Sequence, residues 1–265
     1  EFTGGMFHTK EEFRNQALEQ QAVQFQEQQF GTSLFRDGAQ IPFGVSFIQE
    51  TTVFREFGPV DGNAMRFAFQ YAPSIGSTFL GKQTLDADAR YYKRIGQTGV
   101  LALRGRWFNS FGDFPDFHFF GGNGDMRGFE YLEFIGHESG HVNAELRFPL
   151  IEAMLTPIGV LGGIRGTFFF NLGGSSLNNI PFKLSSSSTE LFTPIEGFES
   201  QGLVLPDGTL GTQIVPTFGP ERAVSGFRLV DSRAAYGIGL TTLVIGFPAH
   251  FDWSWRTLFN KDWED

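Results

Sequence analysis

From about residue 41 onward, apolar and polar side chains alternate with a period of two, and the apolar members are mostly aromatic or aliphatic while the others are often charged. Phe43, Val45 and Phe47 alternate with Pro42, Gly44 and Ser46; Met65, Phe67, Phe69 and Tyr71 alternate with Arg66, Ala68 and Gln70. The same pattern returns at Leu85, Ala87, Ala89 and Tyr91, and in GVLALRGRW (99–107), where Arg104 and Arg106 share a face. It continues at Val142, Ala144, Leu146 and Phe148, then at Phe168 and Phe170 against Arg165, Thr167 and Asn171. RAAYGIGL (233–240) puts Ala234, Tyr236, Ile238 and Leu240 on one face. Last, Phe251, Trp253 and Trp255 oppose Asp252, Ser254 and Arg256. Successive side chains of a strand point to opposite faces, so this period predicts about eight strands, each roughly 9–13 residues long.

A face of Phe, Leu, Tyr and Trp backed by a charged face is difficult to place in a soluble sandwich, whose edges also need protection. A closed barrel in lipid has no edges and tolerates charges on its wet inner side. Composition agrees: 33 Phe and 34 Gly stand among 265 residues. No apolar run approaches the roughly 20 residues a membrane-spanning helix requires, and a barrel requires none. The aromatic group Phe251, Trp253 and Trp255 suits an interfacial girdle. The fold class expected is therefore all-β, a transmembrane antiparallel β-barrel with a short N-terminal helix.

The connections fit that expectation. Long surface loops fall at 112–137 and 172–229, separated by two strands and so on one rim. The turns near 151–157 and 242–246 are short, as on the opposite rim of an outer-membrane barrel. SSSSTE (185–190) marks the second loop as mobile surface. Residues 1–40 read as a polar helical or connecting segment: Thr9 and Glu12 form a capping box, and Phe13, Ala17, Leu18, Ala22 and Phe25 keep helical spacing over about 10–30. Residues 41–265 form the barrel part.

HESGH (137–141) matches the H-E-x-x-H pattern of zinc metallopeptidases through His137, Glu138 and His141. That chemistry needs a helix, in which positions four apart stack and both imidazoles reach one ion. In a strand the same positions lie roughly 13 Å apart, far beyond metal–nitrogen bonds of about 2 Å. Gly136, Gly140, Pro149 and the alternation through Phe148 favour the strand. No G-x-S-x-G elbow offers a serine alternative. The glycine-rich stretch FFGGNGDMRGFEY (119–131) opens no helix, and Arg127 occupies the third-glycine position of a dinucleotide loop. No catalytic group, metal or cofactor is expected. A net charge of −9 argues against nucleic acid as a partner.

That same stretch, F-x-G-G…M-R-G-F, followed by N-A-E-L-R-F-P (143–149), resembles the surface-antigen barrels of the BamA and TamA outer-membrane assembly superfamily. TFFFNLGG (167–174) is similar to the family's next motif, F-x-D-x-G, with Asn171 in place of the aspartate, and residues 234–255 resemble its penultimate hairpin. The resemblance spans about residues 44–256 and implies a loop that folds back into the lumen, carrying Arg127, Gly128 and Phe129. On that basis Arg127 is expected to pair with Glu145, with the Asn171 side-chain oxygen as auxiliary acceptor. The family barrel has sixteen strands, so the chain is expected to be roughly the C-terminal half of a larger protein. The implied setting is the outer membrane of a Gram-negative-type bacterium, with outer-membrane lipid and other outer-membrane or periplasmic proteins as partners. The implied activity is insertion or translocation of proteins, with a passive pore or scaffold as the rival.

Overall fold

A computed structural model of the chain describes residues 1–10, 19–24, 26, 37–55, 58–76, 79–156, 159–178, 180–204, 210–244 and 247–264. The chain divides into two units: residues 1–182 with 231–256, and residues 183–230 with 257–265.

The first unit is one antiparallel sheet. Its strands are β1 (Phe2–Gly4), β4 (Phe43–Glu50), β6 (Gly58–Ala72), β7 (Lys82–Ile95), β8 (Gly99–Gly112), β11 (Glu138–Thr156), β12 (Gly159–Ser176), β19 (Ser232–Val244) and β20 (Phe247–Thr257), adjacent in that order. Short β5 (Val53–Arg55) also pairs with β6. Among the described residues the sheet has two edges, β1 and β20. Two small pairs complete the unit: β2 (Phe7–Lys10) with β3 (Asp37–Gln40), and β9 (His118–Phe120) with β10 (Phe134–Gly136).

The register puts alternating side chains into rows across the sheet. Ile48, Arg66, Asp88, Arg106, His141 and Gly173 are successive cross-strand partners from β4 to β12. One residue along, the row on the other face includes Phe47, Phe67, Ala87 and Trp107. Its aromatics stay open: Phe47 is 58% exposed, and Phe168, Tyr236 and Trp253 on the same face are about half exposed. A sheet face this apolar and this uncovered suits hydrocarbon rather than water. On the charged face, opposite charges meet: Arg66 and Asp86 at 2.8 Å, Arg104 and Asp88 at 2.9 Å. No described helix is long and apolar enough to cross a membrane.

Several expectations need correction. The strands outrun the expected length, reaching 19 residues in β11 and 18 in β12. Backbone pairing continues past the alternating residues, because ladder hydrogen bonds join N–H and C=O groups whatever the side chains. The β11–β12 hairpin also runs past its neighbours: β8 pairs with β11 only over Glu138–Arg147, and β19 with β12 only over Arg165–Gly174. Within residues 1–40, Thr9 lies in β2 opposite Gly38 instead of capping a helix, because its backbone joins a ladder. Residues 19–24 are helical, and most of the helix expected over 10–30 lies outside the described residues.

The second unit, expected to be unpatterned loop, is built of strand pairs. β13 (Ser185–Ser186) pairs with β18 (Arg228–Leu229), β14 (Glu190–Phe192) with β17 (Arg222–Val224), and β15 (Ile195–Val204) with β16 (Leu210–Phe218). The serine-rich stretch is a seat for Arg228, whose side chain is fully buried. Its guanidinium meets Glu190 at 2.9 Å, donates to the Ser188 carbonyl at 2.8 Å and lies 4.4 Å over the Trp263 ring. Trp263 belongs to the short C-terminal helix Lys261–Glu264. A buried guanidinium is tolerated only with such partners, and the polar serines that suggest disorder supply them.

Candidate functional site

The loop between β8 and β11, residues 113–137, lies against the charged face of the sheet. Its two ends pair as β9 and β10. Between them Phe120, Met126, Phe129 and Phe134 close over Ala235 of β19 as a small buried cluster. Phe120 stacks on Phe134 at 4.8 Å, and Phe129 meets Phe134 edge-on at 5.2 Å. The loop thus brings its own apolar core to a polar wall, and Phe129 is part of that core.

The following residues of the loop tie it down. Arg127 Nη2 donates to Glu145 Oε1 on β11 at 2.8 Å, and its Nη1 lies 3.8 Å from Asp252 Oδ1 on β20. The guanidinium also sits 4.9 Å over the ring of Phe169 on β12. Glu145 is shared: Arg147 Nε donates to its second oxygen at 2.8 Å. Asn171 acts differently from the expected auxiliary acceptor. Its Nδ2 donates to the backbone carbonyl of Arg127 at 3.2 Å, and its Oδ1 accepts from Asn143 Nδ2 at 2.8 Å. A neutral amide offers both donor and acceptor, and here the loop backbone takes the donor. Asn143 Nδ2 also donates to the Asp125 carbonyl.

Gly128 is required twice over. Its φ of +91° is a left-handed conformation, and a Cβ there would lie 3.0 Å from Ser254 Oγ and 3.2 Å from Ala235 Cβ. On the wall, a Cβ on Gly173 would fall 2.7 Å from His141 Cβ and 3.0 Å from Met126 Sδ. Gly128 on the loop and Gly173 on the wall are therefore two points of close approach between them.

Sequence reasoning missed two further clamps. Arg104 of β8 donates to Asp125 Oδ1 at 3.1 Å and to the Gly124 carbonyl at 3.0 Å. Arg256 of β20 donates to the Gly128 carbonyl at 2.7 Å, pairs with Glu133 at 3.1 Å and lies 4.6 Å over Phe129. Both arginines stood on the charged faces of their strands, with Asp125 and Glu133 among the five acids of the loop. Which acid meets which arginine depends on the fold of the loop, and alternation carries no such information.

The His137–His141 stretch is strand from Glu138 onward, so the helix that a zinc site of this pattern needs is absent. His137 lies 4.3 Å from the ring of Phe117, and His141 stacks on Phe120 at 5.2 Å. Among the described residues no group of three His, Cys, Asp or Glu could hold a metal ion. In the loop itself, His118 meets Ser139 Oγ at 2.7 Å, and burial together with Arg106 pushes its pKa down to about 4.

An antiparallel sheet, apolar and open on one face, charged on the other and carrying a glycine-rich loop on that charged face, is consistent with the wall of an outer-membrane β-barrel type of protein. Comparison with curated proteins finds no match. The Omp85 superfamily domain matches residues 55–265, which covers the sheet from β6 onward and the loop, and the chain belongs to that family. The family works in protein assembly and translocation at the bacterial outer membrane or its organellar equivalent, with lipid and other membrane proteins around it.

Proposed function

We propose that this protein helps insert or translocate other proteins at the outer membrane of a Gram-negative-type bacterium, and that residues 113–137 act there as a releasable lock inside the lumen. The sheet is read as part of a sixteen-stranded barrel, and its charged face as the lumen wall. The observation that carries the reading is the polar attachment of the loop. Arg127–Glu145, Asn171 to the Arg127 carbonyl, Arg104–Asp125 and Arg256–Glu133 hold it mainly by charges and hydrogen bonds. Such part-buried contacts exchange with water at lower cost than the apolar contact with Ala235 that the loop's own core makes beside them. The work expected of the chain is therefore conformational, with Arg127, Gly128, Phe129, Glu145 and Asn171 as the lock.

The test uses the full-length protein in liposomes with an unfolded outer-membrane barrel supplied as client. Faster insertion of the client than in protein-free liposomes is the expected result. A reducible bis-methanethiosulfonate cross-link between cysteines at positions 127 and 145, long enough to span the gap left by the two side chains, should abolish the gain until it is reduced. Ion conductance without any gain in insertion would instead establish a passive pore.

A further inference from the structure

The β15–β16 hairpin of the second unit is a ribbon of two strands with no third strand on either side among the described residues. Phe198 faces Pro216 and Ser200 faces Ile214, which places Phe198, Ile214 and Phe218 on one face, with Ile195 opposite Phe218. None is covered: Ile195 is 54% exposed, Phe198 and Ile214 69%, and Phe218 61%. Glu199, paired with Val215, and Gln201 occupy the other face. A two-stranded ribbon is marginal in water, and a third strand with a shared apolar face is what stabilises one.

The two edges are not equivalent. Pro216 has no N–H, so it belongs where a ladder bond is not needed, on the outer side of β16. The Phe198–Pro216 pair is then a non-hydrogen-bonded pair, and Phe198, Ser200 and Gly202 turn their N–H and C=O groups outward from β15. Past the irregularity between Ile195 and Gly197, that edge runs in regular register from Phe198 onward. It also lacks the lysines that commonly protect exposed strands.

Charge selects the occupant. Between Ile195 and Phe218 the sequence holds three acidic residues and no Lys, Arg or His. A surface of lipid phosphates finds no countercharge there, and a second copy of the hairpin is equally acidic. We propose that the outer edge of β15 captures an extended segment of another protein in which apolar residues alternate with Lys or Arg. Its apolar residues continue the Phe198 face, its cations meet Glu199 on the other, and its backbone completes the ladder. This site is independent of the lock proposed for residues 113–137.

The experiment places full-length protein in nanodiscs, with empty nanodiscs as blank, and titrates a fluorescent octapeptide of alternating Val and Lys. Binding with a Kd in the micromolar range is expected, together with slowed amide exchange at Phe198, Ser200 and Gly202. A peptide with four Val followed by four Lys, and one alternating Val with Glu, should each bind at least tenfold more weakly. Glu199→Lys, which leaves the apolar face intact, should weaken the alternating peptide at least tenfold. Equal binding of the block and alternating peptides, or no effect of Glu199→Lys, overturns the proposal. The chain has no cysteine, so Ser200→Cys accepts a single environment-sensitive dye. Quenching of that dye by brominated lipid would assign the face to the membrane instead, and concentration-dependent dimers would assign it to a second copy.

Discussion

Replacing Glu145 by Gln keeps the shape of the side chain and removes the charge that Arg127 and Arg147 share. Breaking one side of a dry ion pair costs about 3–5 kcal/mol. Here the Arg127 side chain is 20% exposed and that of Glu145 14%, so water replaces part of what is lost. Arg127 also keeps Asp252 at 3.8 Å and the face of Phe169 at 4.9 Å. A cation over an aromatic ring contributes about 0.5–2 kcal/mol by itself. The net effect on loop attachment is then about 1–2 kcal/mol, roughly a 5–30-fold rise in the open population. Hydrogen exchange of residues 121–134 in the folded, membrane-embedded protein reads that population directly, because backbone amides at Met126 and Phe129 are bonded only within the closed loop. Glu145→Gln and Arg127→Met should each raise exchange there, Arg127→Met by more because it also gives up Asp252 and Phe169, and the double variant should exceed Arg127→Met by little, since the pair is then already lost. If Arg127→Met accelerates exchange while Glu145→Gln leaves it at the wild-type rate, Asp252 and Phe169 hold the guanidinium and the reasoning fails.

Three further outcomes are expected. Gly128→Ala should loosen the same loop, by strain of about 1–2 kcal/mol from its left-handed backbone plus the contacts at Ser254; Gly96→Ala, also at positive φ but with open space around it, should leave loop exchange unchanged. Lys183, then Arg228 and Ser186, hold the Glu190 carboxyl down to about 2 from an ordinary 4.5. A depressed carboxyl stabilises the fold above its unfolded pKa, so the second unit should keep its exchange protection at pH 5 and lose it as pH falls from about 4.5 toward 2, a loss that Glu190→Gln removes. Finally, zinc binding should be equal in wild type and in a His137→Ala, His141→Ala double variant, as measured by metal content after dialysis; stoichiometric zinc lost in the variant would restore the peptidase reading.

What the sequence made legible is what strands repeat. Alternation names the two faces, and so it located Glu145 and Asn171 on the charged wall and Val142, Leu146 and Phe168 on the open one. The glycine-rich loop was legible through its motif, because Gly128 and Gly173 mark backbone contacts that only glycine allows. Alternation did not locate the partners of Arg104 and Arg256, which depend on how residues 121–134 fold upon themselves. Nor did it fix the role of Asn171, whose amide became a donor once the Arg127 carbonyl was brought beside it. The second unit was misread for a related reason. Serines signal disorder by composition, yet Ser186 and Ser188 bond to Glu190, which holds a buried arginine, and the tail residue Trp263 covers that arginine from far along the chain.

The two arginine clamps stand four strand spacings apart, on β8 and on β20, with β11, β12 and β19 between them. At about 4.8 Å per spacing that is roughly 19 Å of sheet, measured along its surface. The segment from Asp125 to Glu133 spans this width as a cross-brace, anchored to Arg104 at one end and to Arg256 at the other. Ladder hydrogen bonds resist sliding of neighbouring strands but offer little resistance to bending about the strand axes. Resistance to bending in this part of the sheet therefore resides in a segment that belongs to none of its strands, and β20, an edge among the described residues, cannot swing away from β8 until that brace lets go.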